Sequence, residues 1–230
     1  MQVPDFDLKE MLDAGCHFGH QSKKWHPSMA PWIHMEQDGI HIFDLLKTKA
    51  QMEKAYEFAY NLGKQGKTLL FVATKRQAKE VAKKAATEAG ALYVISRWLG
   101  GTLSNWEQIN RSLKRMLDTE DGLKKGRFDA YTKLERVKLD KKVARLARFF
   151  EGLRELKKRP DALFIIDPRR EKNALAEARL EKIPVLALVD SNADVRDIDL
   201  PLPANDDVPA SIELIVKAVA SGYKDGKNSK

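Results

Sequence analysis

The sequence predicts a doubly wound α/β fold: a parallel sheet covered by helices on both faces, carrying an inserted, protruding antiparallel helical hairpin of coiled-coil type. Three observations predict it. Short runs rich in Val, Ile, Leu and Phe recur along the chain, most without strict alternation, as strands buried on both faces do. Helical patterns separate most of them, and that order implies parallel strands joined by right-handed crossovers. One segment, 105–159, breaks the rhythm with two apolar seams of helical spacing.

The first apolar run, IHIFDL (40–45), precedes KTKAQMEKAYEFAYNLG (47–63), a helix expected to stop at Gly63. TLLFVAT (68–74) precedes KRQAKEVAKKAATEAG (75–90), closed by Gly90, because glycine readily takes the left-handed conformation that ends a helix. ALYVIS (91–96), ALFIID (162–167) and VLALVD (185–190) complete five runs, and REKNALAEARLEK (170–182) is the helix between the last two. IDLPLP (198–203) is a candidate sixth strand before DDVPASIELIVKAVA (206–220), where Asp206 or Asp207 is expected to cap the final helix and Pro209 to sit in its first turn. The polar tail SGYKDGKNSK is expected to fray. This pattern is flavodoxin-like or Rossmann-like. It assigns residues 1–104 and 160–230 to the sheet domain and 105–159 to the inserted hairpin.

Within the insert, Trp106, Ile109, Leu113 and Met116 are spaced 3-4-3, and Leu139, Val143, Leu146, Phe150 and Leu153 are spaced 4-3-4-3. Arg136, Lys138, Lys141, Lys142, Arg145 and Arg148 flank the second seam and leave only a narrow stripe to bury, which favours a projecting hairpin over two core helices. The insert also holds the charge. Of the formal net +8, residues 105–159 supply all of it, with 17 Lys/Arg against 9 Asp/Glu; the remainder balances at 24 each. Such an excess points to a polyanionic partner. The single cysteine excludes an internal disulfide and suits a reducing cytoplasm. The N-terminal MQVPDFDLKEM has neither an apolar signal core nor transit-peptide character, and no apolar run is long enough to cross a membrane.

An α/β enzyme binding a nucleotide or phosphate at the carboxyl ends of the strands is the alternative. Thr74, Lys75, Asp167 and Asp190 lie there, with PRRE and SNAD following. No G-x-G-x-x-G opens a helix after a strand, no G-x-x-x-x-G-K-[ST] occurs, and Ser191 lacks a G-x-S-x-G elbow. Asp167 and Asp190 are therefore expected to cap helices or to pair with Arg169, Arg170 and Arg196. Cys16, His17, His20 and His26 raise the question of zinc, but no second close ligand pair accompanies them. Gly15, Gly19, Pro27 and Pro31 indicate an irregular loop, in which Lys23, Lys24, Trp25 and Trp32 suit either RNA contact or packing. No metal and no cofactor are expected.

HFGHQSKKWHPSMAPWI, IHIFDLLKT, FVATKRQA, RWLGGTLSNW, PDALFIIDPRRE, VDSNAD and NDD, in this order, resemble the signature stretches of the bacterial-type small-subunit ribosomal protein S-two family, from about Leu8 to Ala220. The resemblance implies a parallel α/β domain with a helical hairpin. It also implies a structural, non-enzymatic constituent of the small (30S) ribosomal subunit, with no small-molecule substrate and no membrane. The implied partners are 16S ribosomal RNA near the body-head junction and other small-subunit proteins, among them S-one, which captures messenger RNA. The implied location is the cytoplasmic ribosome, with a bacterial or organelle-encoded gene. Under this reading the residues expected to touch RNA are Lys23, Lys24 and Trp25; Lys75 and Arg76; Arg97 and Trp98; and, on the hairpin, Arg111, Lys114, Arg115, Lys141, Lys142 and Arg145. Trp25 and Trp98 are equally suited to stacking on a base or packing in the core.

Overall fold

The computed structural model describes residues 3–229. The chain opens with the short helix α1 (Leu8–Asp13), followed by β1 (Phe18–Gln21), β2 (Ile33–Gln37) and β3 (Ile40–Phe43). Helix α2 (Leu45–Lys64), β4 (Leu69–Val72), α3 (Lys79–Ala89) and β5 (Leu92–Val94) begin the βα alternation. Two consecutive helices, α4 (Trp106–Lys124) and α5 (Lys133–Phe150), interrupt it before β6 (Ala162–Ile166), α6 (Lys172–Leu180), β7 (Val185–Val189), β8 (Leu200–Pro203) and α7 (Pro209–Asn228).

Strands β5-β4-β6-β7-β8 form one parallel sheet in that order. Alternate residues of each strand feed two separate cores. Leu69, Phe71, Phe164, Ile166, Leu186 and Leu188 face α2, α3 and α7, whereas Leu70, Val72, Leu163, Ile165, Ala187 and Val189 face α4, α5 and α6. Phe71 and Phe164 are register partners whose rings meet edge to face at 5.3 Å. Each fully buried phenylalanine contributes about 2–3 kcal/mol of transfer free energy. The doubly wound expectation and five of the six predicted strands stand.

The run 40–45 is corrected. β3 belongs to a second, antiparallel sheet of order β1-β3-β2. Asp38 and Gly39 carry φ of 51° and 75°, the two left-handed positions of a tight hairpin turn, and they pair β2 with β3 before the chain reaches the main sheet. The Asp-Gly pair was the available signal.

Two helix boundaries and one terminus also differ. Gly63 does not stop α2. It lies inside the helix where a Cβ would come within 2.2 Å of the Tyr223 carbonyl oxygen, so its role is the close approach of α2 to α7. Gly90 does close α3, with φ of 63°. Neither Asp206 nor Asp207 caps α7. Val208 occupies the N-cap without a side-chain cap, Pro209 opens the helix, and Asn205 Oδ1 holds the preceding turn by accepting the N–H groups of Asp207 and Val208, each at 2.8 Å. The tail continues α7 to Asn228, because Gly222, Tyr223 and Gly226 are buried against α2.

In α4, Ile109, Leu113 and Met116 are buried; Val143 and Leu146 of α5 pack on the same cluster, with Phe150 and Leu153 at its base. A capping box starts α5: Glu135 N–H donates to Thr132 Oγ1 at 3.4 Å, and Thr132 N–H to Glu135 Oε2 at 2.9 Å. Residues 133–138 are exposed throughout, so the end of the pair remote from Phe150 leaves the core. Among the described residues, no helix is long and apolar enough to cross a membrane.

Candidate nucleic-acid interface and the polar cluster beneath it

The carboxyl ends of the parallel strands gather polar residues from four loops and from β1. Lys75, which follows β4, is 8% exposed, and its ammonium lies 2.7 Å from Asp206, 2.7 Å from Asp207 and 3.7 Å from Asp167. Asp190, at the end of β7, holds His20: its Oδ2 is 2.9 Å from Nδ1, and its Oδ1 accepts the His20 backbone N–H at 2.9 Å. Glu171 is buried beside Thr74 and accepts both its N–H, at 3.1 Å, and its hydroxyl.

These environments set the protonation of the cluster. Burial, joined by repulsion from Asp190 and Asp167, pushes the Asp206 carboxyl up to about 7, and the Lys75 ammonium offsets this only in part. The Asp190 hydrogen bond raises the His20 pKa against the effect of burial. Burial works against the Lys75 charge, but Asp206 and Asp207 more than compensate and hold its pKa above the ordinary value. Burial also raises the pKa of Glu171, although the Thr74 bonds oppose it.

His20, Asp190 and Asp206 bring one ligand atom each within 4.8 Å of one another, a geometry with metal-binding character, although Lys75 already supplies a cation to one of these carboxylates, Asp206. The other candidates of the first loop do not converge with them. Cys16 is buried, and burial pushes its thiol pKa up. The Nδ1 of His17 is buried without a partner, and His26 turns to Ser28 at 2.8 Å and Asp194 at 3.8 Å. Ser191 is fully buried, and its hydroxyl bonds Asp190 and the His20 backbone, so it offers no accessible nucleophile. Among the described residues, Asp167 and Asp190 form no ion pair with Arg169, Arg170 or Arg196, and neither caps α6, although Asp167 Oδ1 accepts the Arg170 backbone N–H at 3.2 Å in the turn before that helix. Lysine and histidine satisfy them instead, while Arg196 closes on Asp194 at 2.6 Å.

A second feature accounts for RWLGGTLSN. The Glu177 carboxylate, projecting from α6, accepts the Trp98 indole N–H at 3.1 Å and the backbone N–H groups of Gly101 at 2.8 Å, Leu103 at 2.9 Å and Ser104 at 3.2 Å. Burial opposes its ionisation, but these donors prevail and hold its pKa below the ordinary value. The glycine loop thus wraps an internal carboxylate at the root of α4. Gly101 has φ of 89°, which lets the loop turn its amides inward.

The expected contact residues fall into two groups. Lys23, Lys24, Trp25, Arg76, Arg97, Arg111, Lys114, Arg115, Lys141, Lys142 and Arg145 are exposed. Trp25 is 41% exposed and leans on the His41 ring at 5.4 Å. Arg111 has a partner of its own, Glu107 at 3.4 Å. Lys75 and Trp98 are corrected: one is enclosed by carboxylates, and the other is 6% exposed with its indole N–H bound to Glu177. Arg169 and Arg170, assigned from the sequence to carboxylates, are exposed instead.

A family model described as ribosomal protein S2 matches residues 11–226. The chain is also 43% identical over 221 residues to a small ribosomal subunit protein uS2 from Dictyoglomus thermophilum, covering 96% of this chain and 90% of that protein.

Proposed function

Because the chain belongs to the ribosomal protein S2 family, a structural family of the small ribosomal subunit, we propose that it binds 16S ribosomal RNA near the junction of body and head and supports the docking of protein S-one in the bacterial cytoplasm. The observation that carries the RNA reading is the excess of +8 in residues 105–159, most of it on α5, where seven Lys/Arg stand against two acids while α4 is balanced at four each; Lys114, Arg115, Lys141, Lys142 and Arg145 of the two packed helices are exposed. These helices act as a basic arm. Each phosphate they neutralise releases condensed counterions, so binding is steeply salt-dependent. RNA is taken by shape and backbone, since side chains cannot read the deep A-form major groove. Lys23, Lys24 and Trp25 add a second contact on the first loop, with the exposed indole face available for stacking. The crevice at the strand ends, filled by Lys75, Glu171 and Asp206, gives no support to the nucleotide-enzyme alternative.

The test is to follow the protein through a sucrose gradient from its own cells and compare the wild type with the K141A/K142A/R145A variant. The wild type should travel with small subunits, and the folded variant should dissociate at lower salt. Equal retention of both across the titration would remove the arm from the RNA contact. Absence of the wild type from ribosomal fractions would overturn the reading.

A further inference from the structure

We infer that Arg76, Arg169 and Arg170 form a phosphate clamp at the switch point of the parallel sheet, an RNA-backbone contact separate from the helical arm. The inference rests on the RNA-binding reading above and adds to it the residues and the chemical group this face takes. The chain runs from β4 to β5 on one side and later returns to β6 on the other, so the winding reverses between β4 and β6. Open parallel sheets receive ligands beyond the strand carboxyl ends at that place. Here the floor is closed by the chain's own groups, Lys75 among its carboxylates and Glu171 under Thr74. The exposed cations around it, on the loops after β4 and β6, are Arg76, Arg169 and Arg170.

Arg76 leaves β4, and Arg169 and Arg170 leave β6; the register Val72↔Ile165 sets the two loops side by side. All three arginines are exposed, and among the described residues none pairs with a carboxylate. The opposite end of the sheet is arranged differently. There Arg159 pairs with Glu181 at 2.6 Å, Lys158 with Asp161 at 2.9 Å and Arg179 with Asp197. Arg159 and Arg179 are thus neutralised where the strands begin, whereas Arg76, Arg169 and Arg170 have no carboxylate partner among the described residues. Arg170 is also held in place. Its Nε donates to Thr74 Oγ1 at 3.1 Å, and that hydroxyl in turn donates to the buried Glu171 carboxylate. Both terminal guanidinium nitrogens remain free, the edge that meets two phosphate oxygens at once. The partner is a phosphodiester backbone, bound without reading its bases.

The experiment titrates the full chain with 16S ribosomal RNA across a range of KCl concentrations and compares wild type with R76Q/R169Q/R170Q. A control variant, K64Q/K67Q/K182Q, removes three exposed lysines near the opposite end of the sheet that lie outside residues 105–159 and have no acidic partner among the described residues. The clamp variant should lower the slope of log K against log[KCl] by about 2–3 and weaken binding at 0.15 M salt about 10- to 100-fold. The control should change neither. A wild-type slope in the clamp variant, or equal loss in the control, overturns the clamp and leaves RNA binding to the arm. If the wild type shows no salt-dependent affinity for this RNA, the RNA reading fails and the clamp with it.

Discussion

The Glu177 carboxylate meets the Leu103 backbone N–H at 2.9 Å and, through its two oxygens, ties four residues of the 98–104 loop to α6. Replacing it by alanine strands these donors. Glu177→Ala should cost about 3 kcal/mol in urea unfolding, and Glu177→Gln, which still accepts, about half of that. The contribution follows the sign of a lowered pKa: it is present above the ordinary carboxyl range and is lost as pH falls through the folded value. Limited proteolysis should cut first between 98 and 104 in the alanine variant.

Glycines 226 and 100 should respond oppositely to an added methyl group. A Cβ on Gly226 would lie 2.0 Å from the Tyr60 carbonyl oxygen, whereas one on Gly100 would meet nothing within 4 Å. Gly226→Ala should destabilise by about 3 kcal/mol and lower Tm by roughly 10 °C, with Gly100→Ala within about 0.5 kcal/mol of wild type. Calorimetry on both decides it.

Lys75 is the shared cation of three carboxylates. Lys75→Met leaves them facing one another and should cost about 3–5 kcal/mol. Asp206→Asn combined with it should recover part of that loss, and a double-mutant cycle by chemical denaturation measures the coupling.

The share of stability contributed by Asp206 and His20 should decline as pH rises from about 4 to 8. Asp206, raised to about 7, and His20, also raised, both hold protons in the folded chain that the unfolded chain gives up. Their contribution is full below the unfolded values and disappears as pH passes the folded ones. Asp206→Asn should remove more than ~1.4 kcal/mol of that decline, the equivalent of one pKa unit. An unchanged pH profile of the urea midpoint in that variant would refute the assignment.

The parallel strands were legible because burial on both faces writes itself as continuous Val, Ile, Leu and Phe, and the paired helices because their seams keep heptad spacing. What the residues could not reveal were choices made by distant partners. Ile40–Phe43 reads like its parallel counterparts, yet a local Asp-Gly turn captures it first. Gly63 looks like a stop until Tyr223 is seen against it. Lys75 and Arg170 are indistinguishable as cations in a string; only the fold encloses one in carboxylates and turns the other to solvent. Glu177 gave no signal at all, being one acid among many on an amphipathic helix, 76 positions from the Gly101 amide it binds.

The shared apolar layer under α4 and α5 has a consequence for how this protein can be dissected. Leu113, Met116 and Phe150 occupy the same cluster as Leu70, Val72, Leu163 and Ile165. Cutting out 105–159 would not trim an appendage; it would unroof one side of the sheet and leave a sticky wall that self-associates. Because the base of α4 and α5 shares one apolar layer with the strands, sheet and helices are expected to melt in a single cooperative transition.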